Sequence, residues 1–433
     1  MPAKPSHDHE LLKFPGNFLW GTATSAHQVE GNNKLNDWWA WEQDHYPAEK
    51  QSRQAADQYN LYEKDFDIAK SLAQNSHRLS IEWSRIEPQE GVFNQAEIEH
   101  YKKVLKALKT RGFTVMLTLW HFTLPLWVAD MGGWENSKTV EYFEKFVQKI
   151  APELAEYVDF WVVLNEPGVY VYQAYQISKE QRWPGSHGNF LGQLNTFLNF
   201  ALAHRRVYKY LKGFNKPIGI AQNIQSYEAY HKHSLREMLT VMISDGISNH
   251  LFYFLTKGYH DFIGINYYFH WRYRVENQIL PELVEAKDDK KDVSDLGWEV
   301  YPEGIFDVLT DMSDGLPIYI TECGIASTND DRRTRFLINY LQEVYQAIHA
   351  GVNIKGFFYW SLIDNYEWGR GFDARFGLVE VDFKTQARIL RPSAEVYGEI
   401  AQHNGIPHKL LKLLGHTLQV REEVNQMIKK GQL

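Results

Sequence analysis

The stretch Phe160-Trp161-Val162-Val163-Leu164-Asn165-Glu166-Pro167 is an apolar run that ends abruptly in a carboxylate and a proline. A run this short, apolar and β-branched reads as a buried strand, and the proline stops it. Glu166 therefore stands where a strand gives way to a loop. Far downstream, Pro317-Ile318-Tyr319-Ile320-Thr321-Glu322-Cys323-Gly324 has the same form. Again an apolar run ends in a glutamate, with a glycine two residues later. Two strand-end glutamates in one chain suggest a pair facing each other across one pocket.

Working outward from these two strands, further short apolar runs occur near 14–23, 78–83, 114–120, 218–221, 262–268 and 354–362. Helical spacing appears near 57–72, 101–108, 140–157, 191–211, 235–255, 302–312, 332–349 and 393–402. Strict alternation of strand and helix argues for a parallel sheet. Eight repeats predict closure into a single α/β (β/α)8 TIM barrel with extended βα loops. The competing architecture is an open doubly wound sheet. It is disfavoured because no Gly-x-Gly-x-x-Gly follows the first strand, which also removes the support for nucleotide binding. The expected organisation is a loose tail over 1–13, a catalytic barrel over 14–404, and an amphipathic helical extension over 405–433. That extension carries Leu410, Leu411, Leu418, Val424 and Met427 among charges. It would pack on the barrel or touch a partner subunit.

The chain of 433 residues is long enough to bury a large core. A net charge of -8 suits a soluble protein and gives no reason to expect nucleic acid. The single cysteine, Cys323, excludes an internal disulfide framework and a multi-thiolate metal site. Residues 1–13 are polar and lack the apolar core of a signal peptide, and no apolar run approaches membrane-spanning length. The expected setting is the cytoplasm, without membrane attachment, and no cofactor or metal is expected. His231 and His233 stand two apart in a polar stretch, a poor ligand pair.

Barrel enzymes carry their chemistry at the C-terminal ends of the strands. Polar residues gather there in this sequence. Gln28 lies just past the first strand and His121 past the third. Asn165 and Glu166 end the fourth, Asn266 and Tyr268 the sixth, and Glu322 the seventh. Glu367 and Trp368 follow the eighth. Arg78 is the exception, near the start of the second strand, and would have to point inward to a buried carboxylate. Any one of these could simply cap a loop; it is their coincidence at one end that matters. Two glutamates without a metal-ligand cluster fit acid and nucleophile at a glycosidic carbon, which needs carboxyl groups about 5–5.5 Å apart for retention. No cation adjoins Glu166 in sequence, so burial and the second carboxylate would keep it protonated as general acid. Glu322 would be the ionised nucleophile, held by Arg78 and Tyr268. The residues alone leave these two roles open.

Asn165-Glu166-Pro167 and Ile320-Thr321-Glu322-Cys323-Gly324 resemble the two signature motifs of glycoside hydrolase family 1, the β-glucosidase and β-glycosidase family. Phe18 to Gly31 resembles its opening motif. Asp261 to Tyr268 and Tyr359 to Trp368 resemble two more, so the likeness runs over about residues 14–400. It implies a (β/α)8 barrel and retaining, exo-acting hydrolysis of terminal β-glycosyl residues. The substrate would be a small β-glycoside or short oligosaccharide, and the protein a possible homo-oligomer. It implies Glu166 as acid/base and Glu322 as nucleophile, with Arg78, Tyr268 and Asn266 supporting the nucleophile. Gln28, His121, Asn165, Glu367 and Trp368 would bind sugar hydroxyls, Trp360 would form the floor under the ring, and Asn223 would reach toward the leaving group.

This sequence departs from the family pattern at three places. His27 stands where tyrosine is usual, Phe122 where tryptophan is, and Cys323 where asparagine is. Members that take 6-phosphorylated sugars generally replace the glutamate that is Glu367 here, whose charge would repel a phosphate. Unphosphorylated gluco-, galacto- or fuco-configured substrates are therefore expected. Two alternatives are a transglycosylase using the same covalent intermediate and a non-catalytic sugar-binding barrel. The second is weakened because both glutamates are present.

Overall fold

The computed structural model describes residues 11–176, 183–184, 189–275, 282–284 and 291–414. Eight parallel strands close into a barrel: β1 (Leu19–Ala23), β2 (Ser76–Ser80), β3 (Thr114–Thr118), β4 (Phe160–Asn165), β5 (Ile218–Asn223), β6 (Ile263–Tyr267), β7 (Ile318–Cys323) and β8 (Ile354–Trp360). Pairing runs in chain order, and β8 returns to β1 with Gly356 opposite Leu19 and Trp360 opposite Ala23. The principal helices outside it are α1 (Gln58–Ser71), α2 (Gln95–Thr110), α3 (Lys138–Leu154), α4 (Phe190–Leu211), α5 (Leu235–Asp245, continued through Leu251–Leu255), α6 (Pro302–Asp311), α7 (Asp330–His349) and α8 (Pro392–His403). The (β/α)8 expectation is met.

Both faces of each strand are covered, which is why the strands read as near-continuous apolar runs rather than alternating ones. Outward residues such as Trp161, Val163 and Ile220 pack beneath the helices, as do Ile320 and Cys323 on the other side of the ring. Inside the barrel, Ala23, Met116, Val162, Phe262, Tyr319 and Phe358 form a separate small core. That inner plug packs the interior of the barrel.

The two glutamate strands are both irregular near their ends. β4 shifts register against β5 between Val162 and Asn165, and β7 shifts against β6 between Ile320 and Glu322. Tyr319 lies in the inner core while Ile320 and Cys323 pack outward. Simple alternation from Tyr319 would send Glu322 outward; the bulge, which re-aims a side chain, turns it inward instead.

Three expectations need correction. The second strand begins at Ser76, so Arg78 sits at its centre rather than its start. Ile81 to Trp83 is not strand: Glu82 accepts from Ser84 N and caps a short helix, Trp83–Ile86. Leu11–Lys13, at the end of the expected tail, pairs antiparallel with Gly405–Pro407, at the start of the expected extension. Edge backbone groups of both segments satisfy each other there. A short helix, His408–Leu411, follows, and Leu418, Val424 and Met427 lie outside the described residues. The expected single helix over 235–255 is interrupted by a wider, π-type turn at Gly246–His250. Among the described residues no helix is long and apolar enough to cross a membrane.

Candidate active site

A cavity of about 840 Å³ opens at the C-terminal ends of the barrel strands. Gln28, His121, Asn165, Glu166, Asn223, Tyr268, Glu322, Trp360, Glu367 and Trp368 all line it. Two further expected residues, Arg78 and Asn266, lie beneath as buried supports. Every residue expected from the sequence is thus brought to one place.

Glu166 ends β4 with a left-handed backbone, φ 45°, and its N–H donates to Ala221 O at 2.7 Å on β5. Pro167 then starts a short helix at the position where its missing N–H costs nothing. The strand signal and the proline signal of the sequence therefore meet at this carboxylate. Asn266 Nδ2 donates to Glu166 Oε1 at 2.8 Å and Asn223 Nδ2 at 3.3 Å. Both direct partners are neutral amides. Burial first, and the neighbouring Glu322 second, push the Glu166 carboxyl up to about 8.

Glu322 faces a different environment. Arg78 Nη1 donates to its Oε1 at 2.5 Å, and the Tyr268 hydroxyl donates to Oε2 at 2.9 Å. Burial raises this carboxyl too, against the pull of Arg78, Tyr268 and Asn266. A guanidinium in contact favours the charged form far more than an amide does. The proton shared by this pair therefore belongs on Glu166. Arg78 is itself fully engaged: Nε donates to Thr118 Oγ1 at 3.1 Å and Nη2 to Asn165 Oδ1 at 2.6 Å. Asn266 stands opposite Glu322 in the β6–β7 register and also accepts from Thr321 Oγ1 at 2.7 Å. One asparagine thus ties the two glutamate strands together.

Around this pair lie groups suited to a ring of hydroxyls. Gln28 Nε2 donates to Glu367 Oε2 at 3.1 Å. Burial, then Glu322, push the Glu367 carboxyl up to about 8, with Gln28 and Trp360 donors opposing. His121 Nε2 meets Asn165 Nδ2 at 3.2 Å, and its buried Nδ1 has no hydrogen-bond partner among the described residues; nor has Asn223 Oδ1. Buried polar atoms normally find partners, so these two are poised for a ligand. Burial holds the His121 imidazole neutral. The His121 ring lies nearly parallel to Trp360 at 6.1 Å and to Trp368 at 6.4 Å.

The three departures have plain consequences. His27 stacks on Trp368 at 5.5 Å, bonds Asn36 through Nδ1 at 2.9 Å, and is held neutral by burial at about 3. Phe122 sets its edge against Trp183 at 4.8 Å and Trp368 at 5.3 Å, so an indole from elsewhere fills the region. Cys323 points away from the cavity into the buried layer under the helices. Sequence reasoning missed Trp183, Gln222, Gln225, Trp271 and Trp298, which also line the cavity. Gln222 lies on β5 itself, while the others sit on loops and on a strand outside the barrel, where no periodic signal marks them.

The model of glycosyl hydrolase family 1 matches residues 11–254 and 226–406. The chain belongs to that family. Family 1 membership makes it a glycoside hydrolase, a retaining β-glycosidase on a (β/α)8 barrel. Among its relatives is a β-galactosidase of Pyrococcus woesei, 30% identical with 92% of this chain and 98% of the relative aligned. β-Glucosidase A of Acetivibrio thermocellus is 31% identical, with 91% and 99% covered. The solved β-glycosidase of Pyrococcus horikoshii superposes with a TM-score of 0.86 at 38% identity, covering 94% of this chain and 98% of that one.

Proposed function

We propose that the protein hydrolyses terminal, unphosphorylated β-D-glucosyl, galactosyl or fucosyl residues, with Glu322 as nucleophile and Glu166 as acid/base. The observation that carries this reading is the unequal setting of the two buried carboxyls: a guanidinium contacts only Glu322, while amides contact Glu166. A Glu322 oxygen attacks the anomeric carbon as Glu166 gives its proton to the departing glycosidic oxygen. The sugar is then held as a covalent ester. Glu166, now ionised, takes a proton from water, which attacks the same carbon from the face the leaving group vacated. Two inversions restore the β configuration.

The remaining residues bind and orient. Gln28 and Glu367 form one bidentate edge, and His121 and Asn165, in contact through Nε2 and Nδ2, stand side by side as a second pair. Trp360 offers an apolar face to the ring's C–H surface. Hydrogen bonds that strengthen as charge develops at the anomeric centre raise the rate rather than the affinity. Arg370, at the exposed rim, is the one lysine or arginine among the described lining residues, which favours an uncharged sugar. Homologous β-glucosidases and β-galactosidases support both gluco- and galacto-configured substrates. A cytoplasmic setting accords with the single reduced, buried thiol.

The test is hydrolysis of an aryl β-glucoside by the wild type and by Glu322→Ala, with and without azide. We expect a loss on the order of 10⁴-fold or more in the variant. Azide should restore turnover and yield an α-glucosyl azide. A variant as active as wild type would remove Glu322 from the chemistry.

A further inference from the structure

Helix α4 carries no charged residue from Phe190 to Ala203. Its inner face buries Thr196, Phe200, Ala203 and Val207. Its outer face carries Phe190, Leu191, Leu194, Leu198 and Leu202, which are 41–75% exposed. A surface helix ordinarily reserves that face for polar side chains. Helix α5 repeats the inversion. Leu235, Leu239, Met242, Ile243, Ile247 and Phe254 are 50–81% exposed and recur at helical spacing. They mark a stripe about 28 Å long at 1.5 Å per residue. Of eighteen large apolar side chains exposed among the described residues, twelve sit on these two helices, so the exposure is concentrated rather than scattered.

The two stripes converge on the catalytic cavity. Phe197 of α4 meets Phe252 of α5 at 5.5 Å between ring centroids. Phe190, Leu194, Phe197, Ile247 and Leu251 line the cavity itself. The apolar face therefore begins inside the site and continues outward over both helices. Exposed basic side chains border it. Lys232 and Arg236 stand at the start of α5, and Lys257 lies just past its end.

We propose that this face seats the protein on a lipid–water interface and receives the hydrocarbon chain of an amphiphilic β-glycoside held there. This inference rests on the glycosidase reading above and names its aglycone class. The sugar enters between Glu166 and Glu322, and the chain leaves over Leu194 and Ile247. Apolar stripes with basic borders suit an interfacial helix. Met238 and Met242 add side chains that adapt to an irregular surface. A second copy of the chain is a poorer occupant, because Phe190, Leu194 and Ile247 belong to both the face and the cavity mouth. A subunit seated there would cover the opening.

The test compares wild type with the triple variant Leu198→Gln, Leu239→Gln, Met242→Gln. All three positions are exposed and lie outside the cavity lining. Substrates are an aryl β-glucoside in buffer and dodecyl β-glucoside embedded in phosphatidylcholine vesicles containing phosphatidylglycerol. Flotation with the same vesicles and sedimentation in buffer are measured alongside. The wild type should float and cleave the vesicle-borne substrate. The variant should keep its aryl activity within about twofold, stay in the soluble fraction, and lose about tenfold or more on vesicles; a loss of that size is one factor of ten in an equilibrium constant. Wild type that cleaves the aryl glucoside yet neither floats nor favours the embedded substrate would overturn the proposal. So would an oligomer that the variant splits while neither protein floats, since the face would then be a subunit contact. Flotation needs no turnover, so floating wild type that cleaves no glucoside would sink the glycosidase reading and support the docking face.

Discussion

Glu166 and Glu322 are the same residue type at the same kind of strand end, and only their partners separate them. Arg78 sets a positive charge against Glu322, favouring its carboxylate, and leaves Glu166 to burial. The acid must carry its proton, so kcat/KM should fall as pH rises through about 8, where the Glu166 carboxyl ionises. In Glu166→Gln this alkaline limb should vanish, and turnover of poor leaving groups should drop on the order of 10²–10⁴-fold. Activated aryl glucosides would suffer less at the first step because they need little protonation. Retention of the alkaline limb in the variant would assign it to another group. The same carboxyl has a stability consequence. Its value in the fold lies above the ordinary 4.5, so the folded protein binds the proton more tightly than the unfolded chain. Stability from this group is whole below about 4.5 and is lost as pH rises toward 8. Glu166→Gln should therefore melt higher than wild type at about pH 9 and equally at about pH 4. Thermal melts at both values check the sign. The strand-end residues at the mouth were legible in the sequence, whereas Trp183, Gln222, Gln225, Trp271 and Trp298 were not. Arg78 was legible only in part: its pairing with a carboxylate was expected, but its central place in β2 was not.

At the scale of single elements, β7 and β8 show how closely the strands constrain the site. Gly324 follows β7 just past Glu322. A Cβ built there would lie 1.9 Å from Trp360 O. That oxygen is backbone, so a larger side chain must push β8 and the Trp360 indole away. Gly324→Ala should raise KM for an aryl glucoside about tenfold or more and lower the melting temperature, in line with other overpacked sites. A variant with unchanged KM and melting temperature would show that β7 and β8 can separate freely here. The sequence marked this glycine but not its reason, since the close approach is between residues 36 positions apart. The bulges are a second example. Periodicity of two would have aimed Glu322 outward from Tyr319, and a register shift visible only in the paired strands turns it in.

The whole molecule depends on contacts that join distant parts of the chain. Arg388, on the hairpin Val379–Asp382 and Ala387–Leu390, donates to both carboxylate oxygens of Asp65 on α1, at 2.8 and 3.0 Å. Both side chains are wholly buried. Removing one partner of such a pair strands the other charge and costs about 3–5 kcal/mol. Arg388→Ala should lower the melting temperature by several degrees while leaving kcat on an aryl glucoside near wild type, because neither residue lines the cavity. A melting temperature unchanged within about one degree would mean that water enters to replace the pair. By itself the sequence determined the barrel and the strand-end placement of the two glutamates. These are local properties: buried strands, helix faces and proline stops each leave a periodic or compositional mark. The tertiary structure alone decided how the bulges aim the carboxyls, how Leu11–Lys13 and Gly405–Pro407 pair, and that two helices turn apolar faces outward beside the cavity. Each of these depends on backbone register or on what lies opposite a side chain across space, and neither is written in the spacing along one chain.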